Sequence, residues 1–235
     1  MTAESKPRGR AGSRHQPEQT RAAILAAAAH EFAQEGVDGA RTEHIASAAG
    51  VNKALLYYYF QDKESLYGAV LDHVFSGLRE RLEVILAAPT SAREKILAYA
   101  GAHFDYVASS FLYPKLVQRE MMRTGRNSSP HIPRLVRNYF RPLFGKLAGV
   151  IQQGIAAGEF RRVDPMQFIP SMIAVIVFYF AASPVLKLVG GSDPLSPERI
   201  AARRVAVLDF ISAALFATPP AVPSCTKLRR KGGVR

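Results

Sequence analysis

Apolar residues recur along most of this chain at the three- to four-residue spacing of an amphipathic helix. Alternating apolar and polar runs joined by Asn-Gly or Asp-Gly turns, which would predict β-hairpins, are missing from the sequence. The pattern therefore predicts an all-α protein. We expect helices at residues 17–35, 42–49, 52–60, 63–88, 91–110, 113–123, 131–157, 165–183 and 197–217.

Short local motifs mark several of the predicted helix ends. Ser91 and Glu94 have the spacing of a capping box, in which each side chain accepts a hydrogen bond from the other residue's backbone N–H. An N-cap residue directly before a proline opens two further helices, because proline fits the first helical position. These pairs are Asp164-Pro165 and Ser196-Pro197. Gly36 and Gly158 follow helical runs, and we expect left-handed C-caps there.

The positive charge of the chain lies largely at its two ends. The net formal charge is +12, of which residues 1–16 hold +3 and residues 218–235 hold +5, whereas residues 17–63 carry −2. The basic ends suit a polyanionic partner such as nucleic acid. Two solvated arms without such a partner would have the same composition. We expect residues 1–16 and 218–235 to be disordered basic arms.

Composition and motifs also limit where in the cell the protein is expected and which chemistry it can carry out. Cys225 is the single cysteine, which excludes an internal disulfide framework and a thiolate metal cluster. The N-terminal residues lack the apolar segment of a secretory signal, so we expect a cytoplasmic protein. The sequence has no glycine-rich phosphate loop, nucleophile elbow or histidine pair at the i, i+4 spacing of a metal-binding helix. We therefore expect no enzymatic activity, no cofactor and no metal.

Residues 42–60 have the pattern of two short helices joined by a tight turn. The first helix has one apolar face and Thr42 as its expected N-cap. Gly50 permits the turn, and Val51 fills the junction between the two helices. Asn52 is a favourable N-cap for the second helix, because its side-chain oxygen can accept a backbone N–H. This arrangement is typical of a helix-turn-helix.

The second of these helices has two distinct faces. Spacing of 100° per residue puts Leu56, Tyr59 and Phe60 on the side of the junction, where they should pack inward. The opposite face carries small and hydrogen-bonding residues, as a DNA recognition helix requires near its N-terminus. These residues are Lys53, Ala54, Tyr57 and Tyr58, with Leu55 at the edge and Lys63 at the start of the next helix. An ordinary three-helix element of an enzyme is the alternative interpretation.

Residues 18–70 resemble the DNA-binding domain of the tetracycline-repressor (TetR) family, most clearly in the segment IASAAGVNKALLYYYFQDKESLY. The shared features are Ala-Gly-Val at the turn, Leu-Tyr and Tyr-Phe in the second helix, and Lys-Glu-x-Leu after it. By position, the family's DNA contacts fall on Thr42, Lys53, Ala54, Leu55, Tyr57, Tyr58 and Lys63, to which we add Asn52. The resemblance implies a three-helix DNA-binding domain at residues 17–63 and a larger helical domain for effector binding and dimerisation at residues 64–217.

The resemblance also implies a function, with one departure from the family pattern. A member of the family is expected to be a homodimeric repressor that leaves a palindromic operator when a small apolar effector binds. Position 55 is often small or hydroxylated in the family, but here it is Leu55, which can contact a thymine methyl and cannot hydrogen-bond a base. The alternative function is nonspecific binding of nucleic acid or a membrane surface through the basic arms.

Residues 168–186 form an uncharged apolar run of marginal length for a membrane span. Pro170 and Pro184 interrupt it, and Lys187 follows. We therefore expect a buried or dimer-forming helix and no membrane partner. We predict that residues 165–183 and 197–217 form the homodimer interface, and burial of both helices within one monomer is the alternative.

Aromatic and methionine side chains at core spacing on the middle helices suit an adaptable apolar ligand pocket. The predicted ligand-binding residues are His103, Phe104, Val107, Met121, Met122, Tyr139, Phe140, Phe168, Met172 and Ile176. The candidate polar groups for orienting a ligand are Arg119, Glu120, Arg123 and His103. A plain hydrophobic core has the same composition, so the sequence leaves both interpretations open.

Overall fold

The protein is built from helices, which a computed structural model describes for residues 17–110, 112–123 and 129–217. In chain order they are α1 (Pro17–Gly39), α2 (Thr42–Ala48), α3 (Lys53–Phe60), α4 (Lys63–Ala87), α5 (Ala92–Ser109), α6 (Leu112–Met122), α7 (Ile132–Leu135), a π-helical segment (Val136–Phe140), α8 (Arg141–Ala156), α9 (Pro165–Ala181), α10 (Ser183–Gly190) and α11 (Pro197–Leu215). Within the described residues, an isolated antiparallel bridge joins Phe160 and Phe216. The predicted all-α fold is confirmed.

The predicted caps explain where several helices begin. Ser91 accepts a hydrogen bond from the Glu94 N–H at 3.2 Å, and the Glu94 carboxylate accepts one from the Ser91 N–H at 2.9 Å. Asp164 and Ser196 likewise accept hydrogen bonds from the first turns of α9 and α11. Each such cap satisfies a backbone donor that the helix cannot pair, and typically contributes about 1 kcal/mol.

Two local predictions need correction, and one helix is additional. Thr42 does not cap α2, because the N-cap position belongs to Arg41 and Thr42 is a buried residue of the first turn. The predicted helix at residues 131–157 is divided by the π-helical segment Val136–Phe140. Helix α10 was not predicted at all. Pro184 lies in its first turn, where a missing N–H costs nothing, so this proline opens a helix within the apolar run.

Helix α4 is central to the packing. It lies against α1 and α3 near its N-terminus and against α5 and α8 further along. The rings of Phe32 in α1 and Tyr67 in α4 meet edge to face with centroids 5.0 Å apart, and both are fully buried. One cluster of buried apolar side chains extends from Ile24 in α1 to Phe216 after α11. The helix-turn-helix therefore packs against the rest of the protein through α1 and α4.

Helix α6 forms a second connection to α1. The Arg119 guanidinium donates hydrogen bonds to the backbone carbonyls of Ala33, at 3.1 Å, and of Gln34. Gly36 interrupts α1 at this point with φ 71° and ψ 178°, a conformation essentially restricted to glycine. A Cβ atom at Gly36 would lie 2.9 Å from the Arg119 guanidinium, so a side chain there would also force Arg119 to shift. The left-handed C-cap expected at Gly36 is not formed, because its ψ is extended and one further turn of helix follows it.

The apolar run of residues 168–186 does not form one straight helix long enough to span a membrane. In the described part of the chain, no single helix has both the length and the hydropathy of a membrane span. Helices α9 and α10 have the required length and hydropathy only when taken together, and their axes are bent by 67° at the break between them.

Candidate nucleic-acid interface and internal cavity

The helix-turn-helix is closed by hydrogen bonds within its turn. Gly50 has φ 67°, which suits glycine, and Val51 donates its N–H to the Ala46 carbonyl at 3.0 Å. The Asn52 side chain then accepts the Leu55 N–H at 2.7 Å and caps α3, as the sequence predicts. The Val51 side chain packs against the core, so the turn fixes α3 rigidly relative to α2.

Helix α3 presents one face to the outside. Leu56 and Phe60 are buried and Tyr59 is half-buried, in agreement with the predicted inward face. The Tyr58 side chain is 80% exposed. The rest of the outward face consists of exposed residues that the sequence also assigns to it: Lys53, Ala54, Leu55 and Tyr57. This face can offer a cation, an aliphatic side chain and phenol hydroxyls to a DNA groove.

A small polar network positions the side chains at the N-terminal end of this exposed face. The Lys53 ammonium forms an ion pair with the Glu43 carboxylate of α2 and lies 5.8 Å from the centre of the Tyr57 ring. The hydrogen bond from Lys53 lowers the pKa of Glu43, and the same bond raises the pKa of Lys53. The hydroxyls of Thr42 and Tyr57 are 3.3 Å apart, so Thr42 positions Tyr57. The sequence reasoning missed Glu43, since its contact with Lys53 crosses the turn.

Lys63 is held more firmly than the prediction of a free phosphate contact assumed. Its ammonium donates to the carbonyls of Asp38, at 3.1 Å, and of Ala40, at 3.2 Å. The neighbouring Asp62 caps α4 by accepting the Ser65 N–H at 2.7 Å, and this bond lowers the pKa of Asp62. Lys63 therefore ties the end of α1 to the start of α4. The arginines of residues 1–16, which the sequence suggests as additional DNA contacts, lie outside the described residues.

The larger helical part contains a cavity of about 240 Å³. Four of the predicted ligand-binding residues line it: His103, Met121, Tyr139 and Phe140. Phe144, which has the same core spacing in the sequence, lines it too. Further lining residues escaped the sequence reasoning: Phe75, Leu78, Leu82, Tyr99, Tyr113, Val117, Leu143, Ile173 and Val177. Their spacing, such as i, i+4 and i+8 for Tyr113, Val117 and Met121, marks helix faces but does not distinguish a cavity wall from a core.

The other predicted ligand-binding residues lie elsewhere. Four of them are buried in the core away from the cavity wall: Phe104, Val107, Met172 and Ile176. Met122 is largely exposed, and Phe168 lies in a surface depression between α9 and α11. Within the described residues, no group of three or more His, Cys, Asp or Glu side chains is arranged to hold a metal ion.

Comparison with known proteins identifies the family. Residues 24–70 match the model of the bacterial regulatory proteins of the tetR family, and residues 93–211 match a tetracyclin repressor-like C-terminal domain. The HTH-type transcriptional repressor SCO4008 of Streptomyces coelicolor is 30% identical over 179 residues, which cover 75% of this chain and 87% of the repressor. The chain belongs to the TetR family. It is therefore a DNA-binding regulatory protein.

Two further comparisons agree with membership of the TetR family. The HTH-type transcriptional repressor NicS of Pseudomonas putida is 31% identical over 147 residues, which cover 61% of this chain and 65% of NicS, slightly under two thirds of its length. The ketosteroid transcriptional regulator KstR2 of Mycobacterium tuberculosis has the same fold, with a TM-score of 0.68, 20% identity and coverage of 88% of this chain and 97% of that one.

The polar groups predicted to orient a ligand in this TetR-family protein instead join its helices. Glu120 is buried and accepts a hydrogen bond from the Tyr67 hydroxyl at 3.0 Å. Arg123 binds the Glu64 carboxylate through both terminal nitrogens, at 3.1 and 3.4 Å. Arg119 holds the end of α1, so His103 alone among these four groups lines the cavity. The three others do not line the cavity, because Arg119 and Glu120 of α6 and Arg123 directly after it face α1 and α4.

Apolar side chains remain exposed where the family resemblance predicts the dimer interface. Phe178 of α9 is 69% exposed, and Phe210 of α11 is 56% exposed. Val205 of α11 is also exposed, as are Leu188 and Val189 of α10, which lie between the two predicted interface segments. The inward side of α11 is formed by Val207, Ile211 and Leu215, all fully buried. Helix α11 therefore has one apolar side in the core and further large apolar residues on its surface.

Proposed function

We propose that this TetR-family regulator is a cytoplasmic repressor that binds a palindromic operator as a homodimer and is released by a small apolar effector. Residues 17–63 contact the DNA, and residues 64–217 bind the effector and the second subunit. The names of the relatives SCO4008 and NicS, both HTH-type transcriptional repressors, support repression as the activity.

One observation carries the proposed response to a ligand: α6 contacts both the cavity and the DNA-binding unit. Tyr113, Val117 and Met121 line the cavity from α6. Arg119 on the same helix binds the carbonyls at the end of α1. A ligand that moves α6 therefore also moves or releases α1. The equilibrium shifts away from the DNA-binding conformation to the extent that the ligand binds the two conformations differently.

The exposed apolar residues of α9, α10 and α11 support a homodimer. Large exposed apolar patches on a protein surface mark interaction sites. A dimer with twofold symmetry places two recognition helices in successive major grooves, about 34 to 36 Å apart. Each α3 then contacts one half-site with the face that carries Lys53, Leu55 and Tyr58.

The experiment that tests this function compares footprints of the full chain and of a variant lacking residues 1–16 and 218–235. Sequence-selective footprints on genomic fragments that survive the deletion, with weaker salt-dependent binding overall, are the expected result. Each lost phosphate contact lowers the slope of log K against log salt concentration by roughly one unit. Loss of all selectivity in the deletion variant would instead favour the alternative of nonspecific binding through the basic arms.

A matched pair of substitutions tests which residues read sequence. Leu55→Ala should relax discrimination at one base pair of each half-site, because an apolar contact to a thymine methyl is lost. Tyr58→Phe should weaken binding to all operator variants by a similar factor, because a phosphate contact carries no sequence information. The measurement is anisotropy titration against a panel of single-base operator variants. Unchanged binding of Leu55→Ala across the panel would assign Leu55 to packing.

A further inference from the structure

The cavity wall contains a fully enclosed imidazole without a hydrogen-bond partner. His103 in α5 is 2% exposed, and neither of its ring nitrogens has a hydrogen-bond partner among the described residues. Buried polar groups are almost always hydrogen-bonded, so such an exception requires an explanation. Because His103 lines the cavity, a molecule inside the cavity can supply the missing partner.

The chemistry of the wall disfavours a charged occupant. None of the described lining residues carries a formal charge when the imidazole is neutral. Burial lowers the pKa of His103 to about 4, so the imidazole is neutral near pH 7 and offers one donor and one acceptor. Burial also raises the pKa of the Tyr99 and Tyr113 hydroxyls, so these phenols stay protonated. A buried carboxylate or ammonium would find no counter-charge here.

The aromatic content and the volume of the cavity define the rest of the molecule. The rings of Tyr99 and Tyr113 meet His103 edge to face, with centroids 6.0 and 6.3 Å from it. Phe75 meets Phe140 in the same way at 5.0 Å. An apolar protein cavity of about 150 Å³ is known to take up benzene. The volume of about 240 Å³ therefore suits one substituted ring or two fused rings.

We propose, on the basis of the function above, that the cavity binds a neutral phenol or aromatic alcohol of one or two rings whose hydroxyl hydrogen-bonds to His103. The hydroxyl both donates and accepts, so it can pair with the imidazole in either tautomer. The rings of the ligand fill the aromatic part of the cavity. A site that is built to hydrogen-bond a hydroxyl discriminates against the analogue lacking it, because the buried partner stays unpaired.

The test is calorimetric titration of the full chain at pH 7.5 with three matched probes: 2-naphthol, naphthalene and 2-naphthoate. We expect 2-naphthol to bind roughly tenfold more tightly than naphthalene. We expect 2-naphthoate to bind at least tenfold more weakly than 2-naphthol, since its carboxylate has no counter-charge. Equal binding of 2-naphthol and naphthalene would mean that water satisfies His103, and would overturn the proposal. Binding of 2-naphthoate as tight as that of 2-naphthol would also overturn it.

Variants test whether the preference for 2-naphthol over naphthalene depends on His103. His103→Phe and His103→Leu should bring the affinity ratio of 2-naphthol to naphthalene to about twofold or less. Phe144→Leu is the control, because it also lines the cavity but has no polar group. This variant should weaken the binding of both ligands and leave the ratio of their affinities unchanged. Circular dichroism establishes that each variant is folded, and the wild-type comparison of three probes stands even if a variant is not. A preference that survives in a folded His103 variant would overturn the proposal.

Operator release is measured separately, so that the two proposals can fail independently. Release by a charged compound, with no binding of 2-naphthol, would overturn the ligand assignment and leave the repressor function intact. A His103-dependent preference for 2-naphthol supports the assignment of the site even where operator binding does not respond. In that case the proposed effector response is the part that fails.

Discussion

At the scale of single residues, the proposed recognition helix α3 has its one cation already paired. Lys53 is the only charged residue of α3, and its ammonium forms an ion pair with Glu43. A phosphate or guanine that binds Lys53 must displace this carboxylate. If α3 binds DNA as proposed, we expect the pair to lower affinity for DNA in general, so that a binding site has to compensate through contacts elsewhere on α3. Specificity gains from such a competing interaction.

Removal of the Glu43 charge should strengthen binding to DNA. We expect Glu43→Gln to raise affinity for operator and nonspecific DNA at low salt by roughly three- to tenfold, because Lys53 then becomes available to a phosphate. The slope of log K against log salt concentration should steepen by about one unit. Anisotropy titrations at four salt concentrations measure both quantities. Glu80→Gln, which removes an exposed carboxylate of α4, is the control. An unchanged slope for Glu43→Gln would contradict the prediction.

Burial of neutral His103 should make stability depend on pH. Its folded pKa of about 4 lies below the unfolded value of about 6.5, so the unfolded state binds more protons between these values. Stability is therefore lost as the pH falls through this range, by about 2 kcal/mol between pH 7 and pH 5. Urea unfolding at the two pH values measures the loss. His103→Phe should lose correspondingly less, and an equal loss in both proteins would contradict the assignment.

At the scale of elements, α6 and α1 meet at a point where only glycine fits. Gly36 combines a positive φ with the close approach of Arg119, and Arg119 occupies the carbonyls that the break in α1 leaves free. The polar cluster of Glu64, Glu120 and Arg123 binds α6 to α4 nearby. Helix α6 is thus fixed to both helices that carry the helix-turn-helix.

Gly36→Ala should loosen this junction. The substitution introduces a strained backbone conformation and a Cβ atom 2.9 Å from Arg119, so we expect a loss of about 1 to 3 kcal/mol in the free energy of unfolding. Urea denaturation measures it. Gly39→Ala is the matched control, because its Cβ would meet only Glu35, at an ordinary 3.5 Å. Equal stability of the two variants would show that the junction is not constrained.

At the scale of the whole molecule, the proposed dimer determines DNA affinity. Phe210→Glu places a charge in the exposed apolar surface of α11 and should weaken self-association at least thirtyfold, as expected at the centre of an interface. Operator affinity should fall with it, because a monomer contacts one half-site. Sedimentation measures the first effect and anisotropy the second. Val84→Glu, at a residue of α4 that is 73% exposed, is the control. A dimeric Phe210→Glu protein would contradict the proposed interface.

Features set by neighbouring residues could be predicted from the sequence. The capping box of Ser91 and Glu94 and the cap at Asn52 involve residues three apart, so their geometry follows from the helix itself. Helix α10 was missed because Pro184 is compatible both with the end of one helix and with the start of another. Whether a proline ends one helix or begins the next depends on the direction that the chain takes after it.

The cavity could be predicted only in part, because its wall is assembled from distant helices. His103 and Phe104 are neighbours in α5, yet His103 lines the cavity and Phe104 packs against Phe180 in the core. Adjacent residues of a helix point about 100° apart. Which of them meets a cavity depends on how α5 lies against α4, α8 and α9, and periodicity does not contain that information. The Lys53–Glu43 pair was missed for the same reason.

The partners of Arg119 have an evolutionary consequence. This residue holds α1 through backbone carbonyls, which every amino acid supplies, and its one demand on the sequence of α1 is the glycine at position 36. The side chains around the junction can change without loss of these two bonds. A new set of DNA-contacting residues can therefore arise on α3 while the connection to the cavity is inherited unchanged. Operator and effector preferences are free to diversify separately in descendants of such a chain.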